Sequence, residues 1–340
     1  MTLRDHLHHL KNTRQSITIN RPVSKHLQAA GLFKALEPTP VLCQRIAESD
    51  FPVMGNLFCT KESFANYLGI PVKEIIPTLI AAIDRHAPPE RTSQAPCQEV
   101  ICENPDLDDL PILYHCEGDG GNYISSGVMV AGHPKHGQNL DFHRCMQFSK
   151  TEMAVRVVKT RNFDTFLQDL GAVDVAICVG VPPNILVAAA TSVAIGLDEL
   201  EIANALEPFQ VVKTHTTDLW IPAEAEFVIE GTVYRDRRHA EGPFVDLTET
   251  RDVIRQEPVL EVKCITRRKD AYWHALLPGG LEHKLLMGMP REPTIFREVN
   301  KVVKCLDVNI NPGGCSWLHA VVQIKKERPD DGRKAIEAAS

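Results

Sequence analysis

Phe227-Val-Ile-Glu-Gly-Thr-Val233 is the stretch that decides the fold class of this 340-residue chain. Most of its residues are aromatic or β-branched, and such residues favour a β-strand. Runs of the same kind recur between glycine, proline and asparagine turns, at Ser126–Ala131, Val155–Val158, Val173–Val179 and Val259–Ile265. Short β-rich runs separated by turns are typical of a barrel, so the sequence predicts a β-barrel between about residues 97 and 265.

Helical patterns lie inside this β-rich region and on both sides of it. Two of them interrupt the predicted barrel, at Asn162–Leu170 and Leu197–Leu206, and another precedes it at Val72–Ile83. After the barrel, Pro293–Leu306 carries its apolar residues on one helical stripe, and proline suits the first turn of a helix. A strand is predicted to follow at Leu318–Ile324.

The same patterns divide the chain into three predicted domains. Residues 1–95 are expected to form a small N-terminal α/β domain that closes with a polar, proline-rich linker at 87–96. Residues 96–270 form the barrel domain, and residues 271–340 contain a linker and the start of a C-terminal α/β domain. No strand follows the last predicted helix, at 332–340, to bury its apolar side. The C-terminal domain is therefore expected to be incomplete, and the fold class is α+β.

Two carboxylates flank a tight bend in the segment Ala240-Glu-Gly-Pro-Phe-Val-Asp246. Gly242 permits unusual backbone angles, while Pro243 fixes φ and lacks an N–H, so the segment is predicted to be an extended strand that ends in a turn. Glu241 and Asp246 would then share one rim. If one acid is desolvated while the other pairs with a cation, their pKa values diverge and one acid can donate a proton. The alternative is that both are solvated acids beside a turn.

Composition fits an ordinary globular protein and argues against two classes of function. Apolar residues make up 44% of the chain, charged residues make up 24%, and the net charge is −7. Because the basic residues are scattered over an acidic chain, nucleic-acid binding is not expected. The longest apolar run, Val187–Leu197, is too short to cross a bilayer, so no association with a membrane is expected either.

Cysteine and histidine spacing gives no sign of a zinc site. The ten cysteines form no Cys-x-x-Cys pair, which favours a reduced, cytoplasmic setting. The histidines at 8–9, 133, 136 and 283 lack partners at zinc spacing and are expected to be surface or core residues. No Gly-x-Gly-x-x-Gly or Walker sequence follows a strand, which weighs against dinucleotide and P-loop binding.

Several further motifs occur together and in a characteristic order. They are Gln138–Arg144, Thr160–Asn162, Leu197–Leu200, Ala240–Asp246, Leu276–His283, Gly288–Glu292 and Gly313–Trp317. In this order the chain resembles the UbiD-type reversible decarboxylases, which use prenylated FMN. The resemblance extends from about residue 95 to the end of the sequence.

The resemblance implies a split β-barrel cofactor domain of the flavin-reductase-like kind and a catalytic set of three residues. Loss of CO2 from an unsaturated carbon needs an electron sink, which in this family is prenylated FMN. Arg144 is implied to pair with Glu241 and to hold the substrate carboxylate through its planar guanidinium group. Asp246 matches the position of the proton donor. An ordinary surface ion pair is the alternative role for Arg144.

The resemblance also implies where the cofactor and its metal bind. Flavin contacts are implied for Ser125, Asn139, Asp141, Phe142, Arg161 and Glu199. Asn139, Asn162 and Glu199 are implied to bind Mn²⁺ or Mg²⁺, because hard oxygen ligands suit these ions. The family has a histidine where this chain has Asn162, so Asn162 either binds the metal more weakly or caps the helix that starts there. The family also implies K⁺ near the backbone carbonyls of 188–191.

An aromatic or α,β-unsaturated carboxylic acid is the substrate class that the resemblance implies, and a flavin prenyltransferase is the expected supplier of the cofactor. Some segments are closer to archaeal members, so a phosphorylated enoic acid of the archaeal mevalonate route is an alternative substrate. A non-catalytic, flavin-binding paralogue is a further alternative. In the family a phosphate-binding lysine and a helix used in subunit association follow the last helix. A homo-oligomer, dimer or hexamer, is expected if that part is present.

Overall fold

A computed structural model describes residues 2–340, which begin with short helices packed around short strands. These elements are α1 (Leu3–Asn12), β1 (Ile17–Ile19), α2 (Gln28–Leu36), β2 (Val41–Cys43), β3 (Val53–Gly55), α3 (Lys61–Leu68) and α4 (Ile75–Asp84). Helix α1 illustrates the local reason. The Thr2 side chain accepts from the Asp5 N–H, while Leu3, Leu7 and Leu10 recur at helical spacing on the buried face.

The central part of the chain is dominated by one antiparallel sheet. Its elements are β4 (Glu90–Thr92), β5 (Val100–Cys102), β6 (Asn122–Ile124), β7 (Val128–His133), β8 (Gly137–Phe142), β9 (Cys145–Gln147), β10 (Glu152–Val155), α5 (Asn162–Leu170), β11 (Ala172–Val179), α6 (Pro183–Ala189), α7 (Glu199–Leu206), β12 (Gln210–Lys213), β13 (Trp220–Pro222), β14 (Phe227–Glu241), β15 (Phe244–Val245), β16 (Arg251–Asp252) and β17 (Arg255–Arg267). The nine-stranded sheet has the order β6-β9-β10-β17-β14-β11-β7-β8, and β5 is attached to β17. The predicted split-barrel domain is confirmed.

Strand β11 explains how an apolar run places this sheet at the centre of the molecule. Val175, Ile177 and Val179 pack in one hydrophobic cluster, while Ala176 and Cys178 pack in another. Successive side chains of a strand point to opposite faces, so both faces of the sheet are covered here. Helix α5 packs on the side of the first cluster, and helices α6 and α7 pack on the side of the second.

The last part of the chain returns to the N-terminal sheet and then forms a small unit of its own. Its elements are β18 (Trp273–His274), α8 (Leu281–Gly288), α9 (Glu292–Asn300), β19 (Cys305–Ile310), β20 (Ala320–Ile324) and α10 (Asp331–Ala339). Strand β18 pairs with β3, whereas β19 and β20 form an antiparallel hairpin. Helices α9 and α10 share an apolar cluster with the hairpin through Val299, Val308 and Ala335. The predicted strand and terminal helix are confirmed.

The predicted helix Pro293–Leu306 is wrong over its second half. Helix α9 ends at Asn300, and Cys305 begins β19. The Asn300 side chain accepts a hydrogen bond from the Cys305 N–H at 3.2 Å, which closes the turn between the two elements. The apolar spacing misled because it continues across the turn, although Val302 and Leu306 are 49% and 47% exposed.

Two other predictions need correction. The predicted linker 87–96 contains β4, which pairs in parallel with β12. The predicted strand Val155–Val158 already ends at Val155. Beyond it, Glu257 accepts hydrogen bonds from the Arg156 side chain and the Val157 N–H, at 2.9 and 3.4 Å. The Glu257 side chain, and not a neighbouring strand, thus accepts these hydrogen bonds.

The ten cysteines are free thiols, and seven of them are buried. Burial raises the pKa of Cys43 to about 11, so this thiol stays protonated near neutral pH. Within residues 2–340, no helix combines the length and the apolar character needed to cross a bilayer.

Candidate active site

Arg144 and Glu241 form a buried ion pair beside the central sheet. Arg144 lies in the connection between β8 and β9, and Glu241 is the last residue of β14. Nε and Nη2 of Arg144 donate to Oε1 and Oε2 of Glu241 at 2.8 and 3.0 Å, and Glu241 is fully buried. Burial disfavours the arginine cation, but the hydrogen bonds and charge of Glu241 outweigh it, so the pKa of Arg144 lies above its usual value. This two-point geometry fixes the guanidinium plane.

Two more carboxylates surround the same guanidinium group. Nη1 of Arg144 donates to Asp246 and Nη2 donates to Asp252, both at 2.8 Å. Burial alone would raise the pKa of Asp252, but hydrogen bonds from Arg255 and Arg144 lower it to about 2. The Asp246 side chain is 44% exposed, against 22% for Asp252 and none for Glu241. Asp246 is therefore the carboxylate of this cluster that a ligand can reach most easily.

The predicted bend between Glu241 and Asp246 is present and tightly packed. It contains a cis Gly242–Pro243 peptide, and Gly242 has a φ of +97°, where a side chain is strained. The Gly120 N–H donates to the Pro243 carbonyl at 2.7 Å. A Cβ added at Gly120 would lie 2.1 Å from the Gly242 carbonyl oxygen, so only glycine fits at this contact. The braced bend leads directly into the strand that precedes Asp246.

Three residues of this cluster were missed by the sequence analysis. The Tyr123 hydroxyl donates to Glu241 Oε1 at 3.1 Å, the Phe244 ring centroid lies 4.5 Å from Cζ of Arg144, and Asp252 is the third carboxylate. Phe244 belongs to the quoted segment 240–246 and could have been found there. Tyr123 could not, because only the pairing of β6 with β9 brings it beside Arg144.

A cavity of about 600 Å³ adjoins the cluster and gathers most of the predicted cofactor residues. Asp246 belongs to both the cluster and the cavity wall. A cavity of this size suits a small molecule. Ser125 does not line it. Its hydroxyl donates to the Leu276 carbonyl at 2.6 Å, and its predicted flavin contact stays a prediction. The predicted residues on the wall are Asn139, Asp141, Phe142, Arg161, Asn162, Glu199 and Asp246.

Asn139 on β8 and Glu199 at the start of α7 have surroundings that fit a hard cation. Both side chains are 3% exposed. Glu199 accepts from the Leu140 N–H at 2.7 Å, and within residues 2–340 no basic side chain pairs with it. Burial raises the pKa of Glu199 well above its usual value. The Asn139 amide nitrogen lacks a hydrogen-bond partner in the same part of the chain. A bound cation would compensate the buried Glu199 carboxylate and take the Asn139 amide oxygen as a further ligand, while the Asn139 N–H groups would still need an acceptor such as a phosphate oxygen.

Asn162 lines the cavity, but the alternative that it caps a helix is wrong. It is the first residue of α5, the N-cap position belongs to Arg161, and no side chain accepts the capping hydrogen bond. Its role as a metal ligand stays a prediction. Across residues 2–340, no group of three or more His, Cys, Asp or Glu side chains has a metal-binding arrangement. A metal at this position would therefore take part of its ligands from other oxygen donors, such as the side-chain amides of Asn139 and Asn162.

His143 is a further residue on the cavity wall that the sequence analysis did not assign. Its Nε2 lies 2.9 Å from Asp141 Oδ1, and its Nδ1 lies 2.9 Å from the Arg156 carbonyl oxygen. Burial lowers the pKa of His143, but Asp141 and the carbonyl outweigh it, so the net shift is upward. The pair holds Asp141 in place beside the cavity.

Family models match the chain almost from end to end. The 3-octaprenyl-4-hydroxybenzoate carboxy-lyase Rift-related domain matches residues 90–281. The N-terminal domain of the same carboxy-lyases matches residues 7–83, and their C-terminal domain matches residues 284–340. The C-terminal part of the chain thus carries this third domain's signature.

Curated relatives and solved structures agree with these matches. The anhydromevalonate phosphate decarboxylase of Methanothermobacter thermautotrophicus is 38% identical over 333 residues, covering 96% of this chain and 78% of the relative. That of Methanosarcina mazei is 37% identical over 347 residues, covering 100% and 80%. An evolved dimeric form of the UbiD-class enzyme HmfF from Pelotomaculum thermopropionicum, in complex with prFMN, superposes with a TM-score of 0.97 at 31% identity, covering 99% of this chain and 82% of that one. This chain spans about four fifths of their length.

Fold and domain matches together define an enzyme of the carboxy-lyase class. The chain belongs to the UbiD family of decarboxylases, and the resemblance carried by its motifs is confirmed.

Proposed function

We propose that this enzyme catalyses the reversible, non-oxidative decarboxylation of an aromatic or α,β-unsaturated carboxylic acid with prenylated FMN. The observation that carries the proposal is the buried Arg144–Glu241 pair with Asp246 on the adjoining cavity wall. The likeness to the HmfF structure in complex with prFMN supports the choice of cofactor. When bound, prenylated FMN supplies the electron sink that the departing carboxylate requires.

Each residue of the cluster has a separate task in this proposal. Glu241 occupies Nε and Nη2 of Arg144 and keeps the guanidinium plane fixed. Arg144 orients the substrate carboxylate through Nη1, which Asp246 occupies in the free enzyme. The displaced Asp246 carries a proton and gives it to the carbon that has lost CO2, so one proton is consumed for each CO2 released.

The cavity wall is proposed to hold the cofactor and a cation. Asn139, Asn162 and Glu199 would bind Mn²⁺ or Mg²⁺ next to the flavin phosphate, and the buried Glu199 carboxylate, which no basic side chain of residues 2–340 neutralises, supports this assignment. Asp141, Phe142 and Arg161 would contact the flavin, as would Ser125 after rearrangement. A K⁺ ion near the carbonyls of 188–191 belongs to the same proposal. We also propose domain boundaries at 95/96 and 270/271, a cytoplasmic location and a homo-oligomeric state. A flavin prenyltransferase is proposed to supply the cofactor.

A phosphorylated enoic acid is the second candidate substrate. The relatives at 38% and 37% identity are anhydromevalonate phosphate decarboxylases, and this favours a substrate of their kind over an aromatic acid. The catalytic residues have the same tasks for either substrate, because both lose CO2 from an unsaturated carbon that is itself part of a double bond.

Co-expression with a flavin prenyltransferase tests the proposal. The purified protein is expected to show modified-flavin absorbance and to release CO2 from at least one acid in a panel of aryl, heteroaryl, enoic and phosphorylated enoic acids. The Arg144→Ala variant should retain the absorbance and lose the release. A protein that carries the modified flavin, releases no CO2 and exchanges no labelled bicarbonate would instead be the non-catalytic paralogue.

A further inference from the structure

Arg161 and Arg291 are two arginines of the cavity wall without an acidic partner among the described residues. Arg161 precedes helix α5, Arg291 precedes helix α9, and both line the same cavity. Nη1 of Arg161 donates to the Ser192 hydroxyl at 3.4 Å. In the part of the chain that the structure describes, neither arginine forms an ion pair, and the Arg291 side chain donates no hydrogen bond. Their N–H groups are therefore available to a ligand.

Trp317 holds Arg291 in place without using its hydrogen-bond donors. Cζ of Arg291 lies 4.1 Å from the centroid of the Trp317 ring, and this ring also lines the cavity. A guanidinium group stacked on an aromatic face keeps its five N–H donors at the edge of its plane. Arg291 is thus oriented in advance for a planar or forked anionic partner, although the sequence analysis did not assign it to the site.

The other arginines near the cavity are already engaged. Arg144 donates to three carboxylates, and Arg251 donates to the Glu117 carbonyl. Among the described residues Arg251 also forms no ion pair, so the positive charge on this wall comes from Arg161, Arg251 and Arg291, of which Arg291 alone donates no hydrogen bond. Burial lowers the pKa of Arg291, and repulsion from the nearby charge of Arg161 lowers it further. An anion between them would remove that repulsion.

We infer that Arg291 and Arg161 together bind one phosphate monoester dianion inside the cavity. A phosphate carries close to two negative charges near neutral pH and offers three acceptor oxygens, so it can neutralise both arginines, whereas one carboxylate neutralises one. Two sources share this chemistry, the phosphate of the flavin and that of a phosphorylated enoic acid. The inference rests on the proposed function for the identity of these ligands, but the binding itself requires no turnover.

The inference is tested by measuring the affinities of two pairs of ligands for the parent and for the Arg291→Gln and Arg333→Gln variants. The first pair is FMN and riboflavin, and the second is a phosphorylated enoic acid and its unphosphorylated counterpart. Arg291→Gln should weaken binding of the phosphate-bearing member by about 10-fold or more, because a charge-assisted contact is lost, and should leave the phosphate-free member unchanged. Arg333, whose side chain is 83% exposed on α10, is the matched control and should change neither.

Each outcome has a defined meaning. Selective weakening in the flavin pair assigns the site to the cofactor phosphate, and selective weakening in the acid pair assigns it to the substrate phosphate. Equal effects on both members of each pair, or no effect, would overturn the inference and leave Arg291 as a packing partner of Trp317. If thermal melting shows that Arg291→Gln is unfolded, Arg291→Lys serves instead and should show a smaller loss with the same selectivity. If binding depends on the phosphate but the protein releases no CO2, the proposed function is rejected and the inference about Arg291 stands.

Discussion

Glu241 and Arg144 lie 97 residues apart in sequence, yet two hydrogen bonds of 2.8 and 3.0 Å join their side chains inside the protein. No helix or hairpin contains both residues, because their positions follow from separate strands of the central sheet. The pair is therefore a product of the whole fold, and its chemistry depends on the sheet remaining closed around it.

Removal of Glu241 should destabilise the protein measurably. The change Glu241→Ala leaves part of the buried Arg144 guanidinium unpaired, so the free energy of unfolding should fall by about 3 kcal/mol. Urea denaturation measures this. Asp236→Ala is the control, since Asp236 pairs with Arg235 at an exposed site and its loss should leave the stability nearly unchanged. Equal effects of the two substitutions would show that burial adds nothing to the first pair.

Asp246→Asn should separate chemistry from folding. The amide retains the size of the side chain but donates no acidic proton, so kcat should fall by about 10²-fold or more. Because Asp246 is partly exposed, the free energy of unfolding should change by less than about 1 kcal/mol. CO2 release and urea denaturation are the measurements. Turnover close to that of the parent would place the proton donor elsewhere.

Acid should weaken the fold partly through Asp252. Its pKa is about 2 in the folded protein against the ordinary aspartate value of 3.8, so its charged form stabilises the folded state. This contribution is complete above about pH 4 and is lost as the pH falls towards 2. The unfolding free energy of the parent should therefore fall more steeply over this range than that of Asp252→Asn. Parallel curves for the two proteins would contradict the pairing of Asp252 with Arg144 and Arg255.

Asn162→His should strengthen metal binding if Asn162 is a ligand. An imidazole nitrogen is a better donor to Mn²⁺ than an amide oxygen, so affinity should rise by about 10-fold. Calorimetric titration of Mn²⁺ into the parent and the variant measures the difference. Asn12→His, at the end of α1 and outside the cavity, controls for binding to an added histidine. If both variants respond alike, position 162 has no special relation to the metal.

The sequence predicted the central fold well because burial on both faces leaves a simple record. In β11 every residue from Val175 to Val179 is apolar, whichever face of the sheet it lies on, so the strand is recognisable as a continuous apolar run. The apolar pattern of helix α9 was a less reliable guide to its length. Its stripe continues into Val302 and Leu306, which are half exposed, and periodicity alone cannot distinguish a turn from another helical turn at such positions.

The site was predictable where its residues are close in sequence. Glu241 and Asp246 flank one bend, and the local chemistry of glycine and proline identifies it. Tyr123 carries no local signal, since it acts through a strand pairing. Arg291 lies in the quoted segment Gly288–Glu292, but its place in the site depends on a tryptophan 26 residues further along the chain. Contacts of this kind depend on tertiary packing, which a single sequence does not display.

The contact between Gly120 and the bend at Gly242 has a consequence for how such sequences change. Because the Gly242 carbonyl fills the space that a side chain at position 120 would need, position 120 cannot gain a side chain while the bend keeps its path. Homologues that retain the Gly-Pro bend are therefore expected to retain a residue without Cβ at the position of Gly120, and loss of one should accompany loss of the other. Substitutions in these two segments, which lie 122 residues apart, would then occur together among homologues.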